Sequence, residues 1–401
     1  MAKLLGFQNL KENVIDSGLC TCCGTCVGVC MFDAISMDYE TDEPEPKITG
    51  NCTNCGMCYK VCPGKDIPLP EMDRKFLGEE RDFENDHLGI YNYCGRGYAK
   101  DNFIRNITSS GGMISALLIC ALEEKIIDAA LLAGYREDKP WRCEPFIATN
   151  TEEVLNAMRT GMMIVPNNEL LYEAVFNKGY KNIGVVGLPC HVHGIRKLQL
   201  ERKPKKIAEA IKLVLGLFCA ATYYWEGTKH LLQEFGKIEK IESIKAMDYR
   251  GGKWPGGLEV LTNDGRIRFI ASKHDYTWHL FGPASYKRDR CLSCVDFSAE
   301  VADVSCGDIF QDIGYKDRRW VATLVRTGIG QELIKIAKEK GYIHIEKHDP
   351  TLIPASGMGW ESKKHAGVYR LLQRKRYNWP SPDFGYVLSE NPLPRDINFP
   401  K

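Results

Sequence analysis

Residues 20–30 have the sequence CTCCGTCVGVC, and residues 52–63 have the sequence CTNCGMCYKVCP. In each stretch, four of the cysteines are separated by two, two and three residues, a spacing typical of loops that bind a 4Fe–4S cluster. The alternative is a pair of zinc sites, although zinc sites more often use paired C-x-x-C units. The two stretches therefore predict two 4Fe–4S clusters, with the ligands Cys20, Cys23, Cys26, Cys30, Cys52, Cys55, Cys58 and Cys62.

When a chain has two such stretches, the fourth cysteine of each binds the cluster of the other. One cluster is then expected to use Cys20, Cys23, Cys26 and Cys62, and the other Cys52, Cys55, Cys58 and Cys30. Gly24 and Gly56 hold equivalent places in the two loops, where a positive φ or a close approach to the cluster favours glycine. Met31 stands where a proline commonly follows the fourth cysteine, and Cys22 is an extra cysteine that we interpret as a non-ligand.

The composition limits the class of protein. The chain has 401 residues, 17 of them cysteine, and a formal net charge of +1. Disulfides would suit a secreted chain, but the N-terminus lacks a signal-peptide pattern, so we expect the cysteines to bind metal. The near-neutral charge gives no support for nucleic-acid binding, and no apolar run reaches the roughly 18–20 residues of a membrane-spanning helix. The sequence therefore predicts a cytoplasmic protein with no transmembrane segment and no nucleic-acid partner.

Patterns of strands and helices divide the chain. The predicted strands at 183–186 and 211–218 flank a helical stretch, and Asn263-Asp264-Gly265 predicts the turn of a hairpin within 258–270. A helix over 328–340 and a strand over 342–346 follow. We therefore predict an α+β fold in four parts: a two-cluster ferredoxin-like domain (1–70), a charged linker (71–100), a mixed α/β domain (101–345) and a C-terminal extension (346–401).

A run of small and hydroxyl residues precedes the apolar helix that is predicted to begin near Met113. It comprises Thr108, Ser109, Ser110, Gly111 and Gly112. Free backbone amides and the helix dipole at such a place form an anion site that suits a pyrophosphate. The alternative is a helix N-cap with a flexible turn.

Four further motifs contain cysteine: GLPCH at 187–191, GLFC at 216–219, CLSCVD at 291–296 and ADVSCGD at 302–308. A lone C-x-x-C is compatible with a redox-active pair or with half of a zinc site. Together with SSGG at 109–112, these motifs resemble the family formed by the β-subunits of coenzyme F₄₂₀-reducing hydrogenases and F₄₂₀H₂ dehydrogenases. The resemblance extends from Cys20 to about Arg326, and the N-terminal part is most similar to the electron-input subunit of F₄₂₀H₂ dehydrogenase.

The resemblance implies that the mixed domain binds FAD and a third 4Fe–4S cluster. Its implied ligands are Cys190, Cys219, Cys291 and Cys294, with Cys306 and Cys94 as reserve candidates for the fourth position. Residues 108–112 would contact the FAD. Cys120 and Cys143 are interpreted as structural thiols.

The implied function is an oxidoreductase that transfers hydride between reduced coenzyme F₄₂₀ and FAD. Single electrons would then pass through three clusters to a partner protein or complex, which could be peripheral to a membrane. No catalytic residue is predicted. Basic candidates for the anionic tail of the deazaflavin are 202–203, 205–206, 287–288 and 374–376. The alternatives are a reductase of the same scaffold that uses ferredoxin electrons on another substrate, and an electron-relay subunit without flavin.

Overall fold

The computed structural model describes residues 6–41, 43–157, 161–281, 286–309, 319–355 and 358–387. Its strands are β1 (Ile35–Asp38), β2 (Glu45–Ile48), β3 (Tyr93–Ala99), β4 (Ala129–Tyr135), β5 (Cys143–Ala148), β6 (Ile183–Gly187), β7 (Ile211–Leu217), β8 (Ile244–Gly251), β9 (Gly257–Thr262), β10 (Ile267–Ser272), β11 (Val304–Asp308), β12 (Val321–Val325) and β13 (Ile343–Lys347).

Three sheets are formed by these strands. The large sheet has eight strands in the order β13-β3-β12-β11-β7-β6-β4-β5, and a second sheet has the order β10-β9-β8. The pairs β4–β6, β6–β7 and β7–β11 are parallel, and the remaining pairs of the large sheet are antiparallel. The small hairpin β1–β2 lies in the N-terminal part. The mixed α and β class predicted from the sequence is confirmed.

The α-helices are α1 (Phe7–Leu10), α2 (Thr25–Gly28), α3 (Met57–Lys60), α4 (Leu69–Met72), α5 (Asn102–Ile107), α6 (Met113–Glu123), α7 (Thr151–Asn156), α8 (Pro189–Glu201), α9 (Lys205–Ala210), α10 (Trp225–His230), α11 (Lys273–Phe281), α12 (Asp289–Leu292), α13 (Gly328–Glu339), α14 (Leu352–Ala355), α15 (Met358–Glu361) and α16 (Val368–Arg376). Short π-helical or 3₁₀ segments occupy Lys11–Ile15, Asp73–Leu77, Asn167–Leu170, Glu173–Asn177, Leu231–Phe235, Ile241–Ser243 and Ser362–Gly367. No helix of the described ranges is long and apolar enough to cross a membrane.

Both faces of the large sheet are buried, and β7 illustrates the reason. Leu213 and Leu215 pack in a core that includes α6 and α13, whereas Val214 packs in a core that includes α8 and α9. Successive residues of a strand point to opposite faces, so a strand covered on both faces is apolar at nearly every position. This burial explains why β6 and β7 were predictable as short apolar runs.

The N-terminal part packs on the face that carries α8. Val29 and Val61 belong to the same core as Val192 and Ile195 of α8. Gly194 permits this approach, because a Cβ there would lie 2.2 Å from the hydroxyl oxygen of Thr25 in α2. The cysteine-rich loops are thereby held against the large sheet.

Gly24 and Gly56 precede α2 and α3 and have φ angles of +80° and +78°. The positive φ predicted for both glycines is therefore confirmed, and the two loop–helix units are locally equivalent. The hairpin of β9 and β10, the helices α8 and α13, and the strands β6, β7 and β13 also lie where the sequence predicted them.

The segment 71–100 is more than the linker that the sequence predicted. Its last residues form β3, which lies between β13 and β12 in the large sheet. Arg81 is buried and donates hydrogen bonds to Asp73, with 2.6 Å between Nε and Oδ2, and also to Glu300. This buried cation between two carboxylates joins the segment to the core. The charged composition of the segment had suggested an exposed linker instead. The other domain boundaries remain predictions.

The C-terminal extension begins within β13 and continues through α16. Part of this extension packs against the N-terminal part: the Asp383 carbonyl accepts a 2.6 Å hydrogen bond from the Ile67 amide, and Phe384 is buried. Pro392, Pro394 and Pro400 lie outside the described residues.

Candidate functional site

The first thiol group consists of Cys20, Cys23, Cys26 and Cys62. Burial, followed by the negative charges of Cys20 and Cys62, raises the pKa of Cys26 well above its usual value. Burial and the charges of Cys23 and Cys20 raise the pKa of Cys62 to about 12. Buried thiols that oppose one another's ionisation can all be thiolates only when bound metal takes up the charge. The chain therefore brings together the four cysteines predicted for one cluster.

The second thiol group consists of Cys30, Cys52, Cys55 and Cys58. Burial, followed by the charges of Cys55, Cys52 and Cys30, raises the pKa of Cys58 to about 12. Cys52 and Cys55 are exposed. This group matches the exchange of the fourth cysteine that the sequence predicted, and it opens onto the protein surface.

The third thiol group consists of Cys190, Cys219, Cys291 and Cys294. Cys190 is the second residue of α8, shortly after β6, and Cys219 follows β7, so both lie at the carboxyl edge of adjacent parallel strands. Burial, followed by the charges of Cys23, Cys219, Cys291 and Cys294, raises the pKa of Cys190 well above its usual value. All four implied ligands are thus neighbours.

The two reserve candidates are not part of this group. The charged neighbours of Cys94 are Asp349 and Arg326, and the sulfur of Cys306 contacts the Thr323 hydroxyl at 3.6 Å. Within the described ranges, no three His, Cys, Asp or Glu side chains are close enough to hold one metal ion. The ligands of a 4Fe–4S cluster lie further apart than those of one ion, because each cysteine binds a different iron.

Buried cations surround the third thiol group. Lys363 is 1% exposed and Arg290 is 4% exposed, and the Nε and Nη1 atoms of Arg290 have no hydrogen-bond partner in the part of the chain that the structure describes. Against the effect of burial, Lys363 and hydrogen bonds from Thr222 lower the pKa of Cys291. Buried positive charge is stable only beside negative charge. The donor set and its surroundings therefore fit an anionic iron–sulfur cluster.

The three thiol groups follow one another through the protein. Cys190 of the third group has Cys23 of the first as a charged neighbour, and Cys26 of the first has Cys58 of the second. The series ends at the exposed Cys52 and Cys55. A route from the interior to the surface is therefore built from cysteine groups alone.

A cavity of about 710 Å³ lies at the inner end of this route. Cys219 lines it, as do Thr108, Ser109, Ser110 and Gly112. Helix α6 begins at the cavity, and no side chain of the described ranges caps its first amides. Such amides remain available to an anion. Four of the five predicted cofactor-binding residues therefore line a cavity of the size of a cofactor site.

Gly111 faces the protein instead of this cavity. A Cβ on Gly111 would lie 2.9 Å from the Arg319 carbonyl oxygen and 3.0 Å from a Val321 methyl group. A larger residue at 111 would therefore disturb packing whether or not a cofactor is bound.

Charged residues that the sequence did not single out line the same cavity. Arg250 of β8 and Lys273 of α11 lie 2.8 Å and 3.2 Å from the Asp308 carboxylate, which also accepts a hydrogen bond from Ser110. Among the described residues, the buried Nη2 atom of Arg250 has no hydrogen-bond partner. Burial lowers the pKa of Lys273 to about 8. Two cations and one carboxylate thus line this part of the cavity.

The basic candidates chosen from the sequence lie elsewhere. None of the residues 202–203, 205–206 or 374–376 lines the cavity. Lys287 and Arg288 are buried, and Arg288 pairs with Glu43 at 2.7 Å. His191 lines the cavity, and burial lowers the pKa of its imidazole to about 4, so it is neutral near pH 7. Its Nε2 lies 2.7 Å from the Val165 carbonyl, which fixes the ring.

A cavity flanked by a series of thiol groups that leads to the surface is an arrangement typical of a redox protein that transfers electrons. The chain belongs to the family of coenzyme F₄₂₀ hydrogenase/dehydrogenase β-subunits. The model of the N-terminal part of these subunits matches residues 94–172, and the model of their C-terminal part matches residues 180–351.

Individual relatives carry consistent names. The β-subunit of the coenzyme F₄₂₀ hydrogenase of Methanosarcina barkeri is 29% identical over 62% of this chain and 80% of its own length. One of the subunits of the F₄₂₀H₂ dehydrogenase of Methanosarcina mazei is 26% identical over 82% of this chain and 84% of its own length. The coenzyme F₄₂₀-dependent sulfite reductase of Methanocaldococcus jannaschii is 27% identical over 84% of this chain but only 48% of its own length.

A solved structure is similar as well. It is a chain of the F₄₂₀-reducing [NiFe] hydrogenase complex from Methanosarcina barkeri, with a TM-score of 0.60 and 25% identity over 75% of this chain and 98% of that chain. Family membership associates this protein with F₄₂₀-linked redox electron transfer.

Proposed function

We propose that this protein exchanges electrons between reduced coenzyme F₄₂₀ and a partner protein through FAD and three 4Fe–4S clusters. The observation that carries the proposal is the order of the cavity and the three thiol groups. The cavity is lined by Cys219 of the third thiol group, which is followed by the first group and then by the surface-exposed second group. This order supports sequential electron transfer between the cavity and the surface.

FAD bound in the cavity would accept the hydride of F₄₂₀H₂ as an electron pair and release the electrons one at a time. The amides at the start of α6 would bind its pyrophosphate, and Arg250 and Lys273 would supply positive charge. Leu118 and Leu132 line the apolar part and exclude water from the ring system. The role of this chain is to bind and orient both ring systems, and no side-chain acid or base is required.

The three thiol groups would each hold one cluster, with the ligands given above. The exposed Cys52 and Cys55 support a partner that docks at the second cluster, because an electron must leave near the surface. Cytoplasmic location and the identity of this partner remain predictions.

The metal and flavin content of the protein tests the proposal. Protein purified without oxygen is expected to contain about twelve irons, as much acid-labile sulfide, and one FAD per chain, since each cluster has four irons. About eight irons would contradict the third cluster, and zinc in place of iron would contradict all three. Absence of flavin would favour the electron-relay alternative.

The binding of FAD is expected to depend on pH through Lys273. Its pKa is lowered to about 8 by burial, so the ammonium is charged below that pH and neutral above it. Attraction for an anionic ligand is therefore present below about pH 8 and lost above it. We expect the Kd of FAD to rise about tenfold between about pH 7 and pH 9, since a hydrogen bond to a charged group contributes about 1.5–3 kcal/mol.

Fluorescence titration of flavin-free protein measures this Kd. Lys273→Met should bind FAD weakly at both pH values and lose the pH dependence. Lys245→Met removes an exposed lysine from β8, in the sheet that also carries Arg250, and should titrate like the wild type. A pH dependence that persists in Lys273→Met would assign it to another group.

A further inference from the structure

The C-terminal segment that follows the family match packs directly on the third thiol group. The matched region ends at residue 351, and the segment Ser362–Gly367 lies beyond it. A Cβ on Gly367 would lie 2.4 Å from the Cys294 carbonyl oxygen, so glycine permits close contact with the loop that carries Cys291 and Cys294. This segment therefore belongs to the wall of the proposed cluster site.

Lys363 extends from this segment into that wall. Its side chain is buried, and its Nζ lies 3.4 Å from the Cys291 carbonyl oxygen. The charged groups that act on it are chiefly the thiols of Cys294, Cys291 and Cys219. Within the described ranges, no carboxylate forms an ion pair with Lys363.

The charges of two other lysines near the thiol groups are balanced by carboxylates. Lys364, the next residue, pairs with the Glu300 carboxylate. Lys197 donates to the Cys62 carbonyl oxygen at 2.8 Å, and it pairs with Asp66 at 2.9 Å. A buried ammonium without such a partner is costly, and one 3.4 Å contact to a carbonyl does not replace a carboxylate. The charge of Lys363 is therefore directed at the thiol group.

We propose that Lys363 is a positioning residue that raises the reduction potential of the third 4Fe–4S cluster. The proposal rests on the proposed function, because it requires a cluster at Cys190, Cys219, Cys291 and Cys294. Reduction adds one electron to the cluster and makes it more negative by one charge. A nearby buried cation stabilises the reduced form more than the oxidised form. The third cluster is thereby favoured as the acceptor of electrons from the cavity.

Redox titration of the loaded protein, followed by electron paramagnetic resonance, tests this effect with dithionite as reductant. Lys363→Met keeps the approximate length of the side chain but removes its charge. At a fixed solution potential, the ratio of reduced to oxidised third cluster is expected to fall at least tenfold, which is about 59 mV for one electron. The potentials of the other two clusters should stay unchanged.

Two further variants separate charge from packing. Lys363→Arg retains the charge and should keep a potential close to the wild-type value. Lys335→Met removes an exposed lysine from α13 and should change none of the three potentials.

An unchanged third potential in Lys363→Met with full iron content would overturn the proposal. Loss of the third cluster from Lys363→Met would also overturn it, because the lysine would then be a structural requirement for binding. If the potential of the third cluster fell as far in Lys363→Arg as in Lys363→Met, the effect would be assigned to packing. Absence of a third cluster from the wild-type protein is a different result, and it would contradict the proposed function itself.

Discussion

Cys291→Ser is expected to abolish the reduction of the N-terminal clusters by F₄₂₀H₂, although dithionite should still reduce them. The third thiol group reaches the cavity through Cys219, and its Cys190 has Cys23 of the first group as a charged neighbour. Loss of its cluster would remove the step between flavin and the first cluster. The paramagnetic signal of the third cluster should disappear, while the two other signals remain.

The matched control is Cys94→Ser, which alters a buried cysteine of β3 whose charged neighbours include no other cysteine. It should keep about twelve irons and the wild-type rate, whereas Cys291→Ser should keep about eight. F₄₂₀H₂-driven reduction at the wild-type rate in Cys291→Ser would show that electrons bypass this group. Loss of iron in Cys94→Ser would restore that cysteine as a ligand candidate.

Arg81→Met is expected to lower the free energy of unfolding by about 3–5 kcal/mol, because it leaves buried carboxylates without their cation. Arg81 is 2% exposed at its side chain, and its partners Asp73 and Glu300 are 0% and 1% exposed. Lys364 remains beside Glu300, but Asp73 loses its ion-pair partner. Anaerobic denaturant unfolding of the loaded protein measures the change.

Arg74→Met provides the comparison for this prediction. Arg74 also pairs with a carboxylate, that of Glu80, but the two side chains are 58% and 44% exposed. An exposed pair contributes about 0–1 kcal/mol, so this variant should unfold almost as the wild type does. Equal effects of the two substitutions would show that the buried network does not anchor segment 71–100 to the core.

Local patterns allowed much of the fold to be predicted. The cysteine spacing gave the membership of the two N-terminal thiol groups, and equivalent places in those loops gave the positive φ of Gly24 and Gly56. The turn Asn263-Asp264-Gly265 predicted the hairpin of β9 and β10. The patterns themselves are short runs of sequence, and only the exchange of Cys30 and Cys62 between the two groups needed the general behaviour of paired cluster loops.

Features that depend on distant residues were not predictable in the same way. Arg250 lines the cavity from β8, which belongs to the second sheet and not to the large one. No nearby motif in the sequence indicates that position. Arg81 looks like one charge in a solvated run until Glu300, 219 residues away, is brought beside it. The third thiol group required a family resemblance, because its four cysteines come from three separate segments.

Anaerobic stopped-flow mixing of the oxidised, fully loaded protein with F₄₂₀H₂ tests the central claim most directly. Absorbance separates oxidation of the deazaflavin, reduction of the flavin and bleaching of the clusters. We expect that flavin reduction accompanies oxidation of F₄₂₀H₂, that cluster bleaching follows, and that NADH, NADPH and reduced ferredoxin do not replace F₄₂₀H₂. Cluster reduction by ferredoxin without any reaction with F₄₂₀H₂, or by F₄₂₀H₂ in protein that contains no flavin, would contradict this claim.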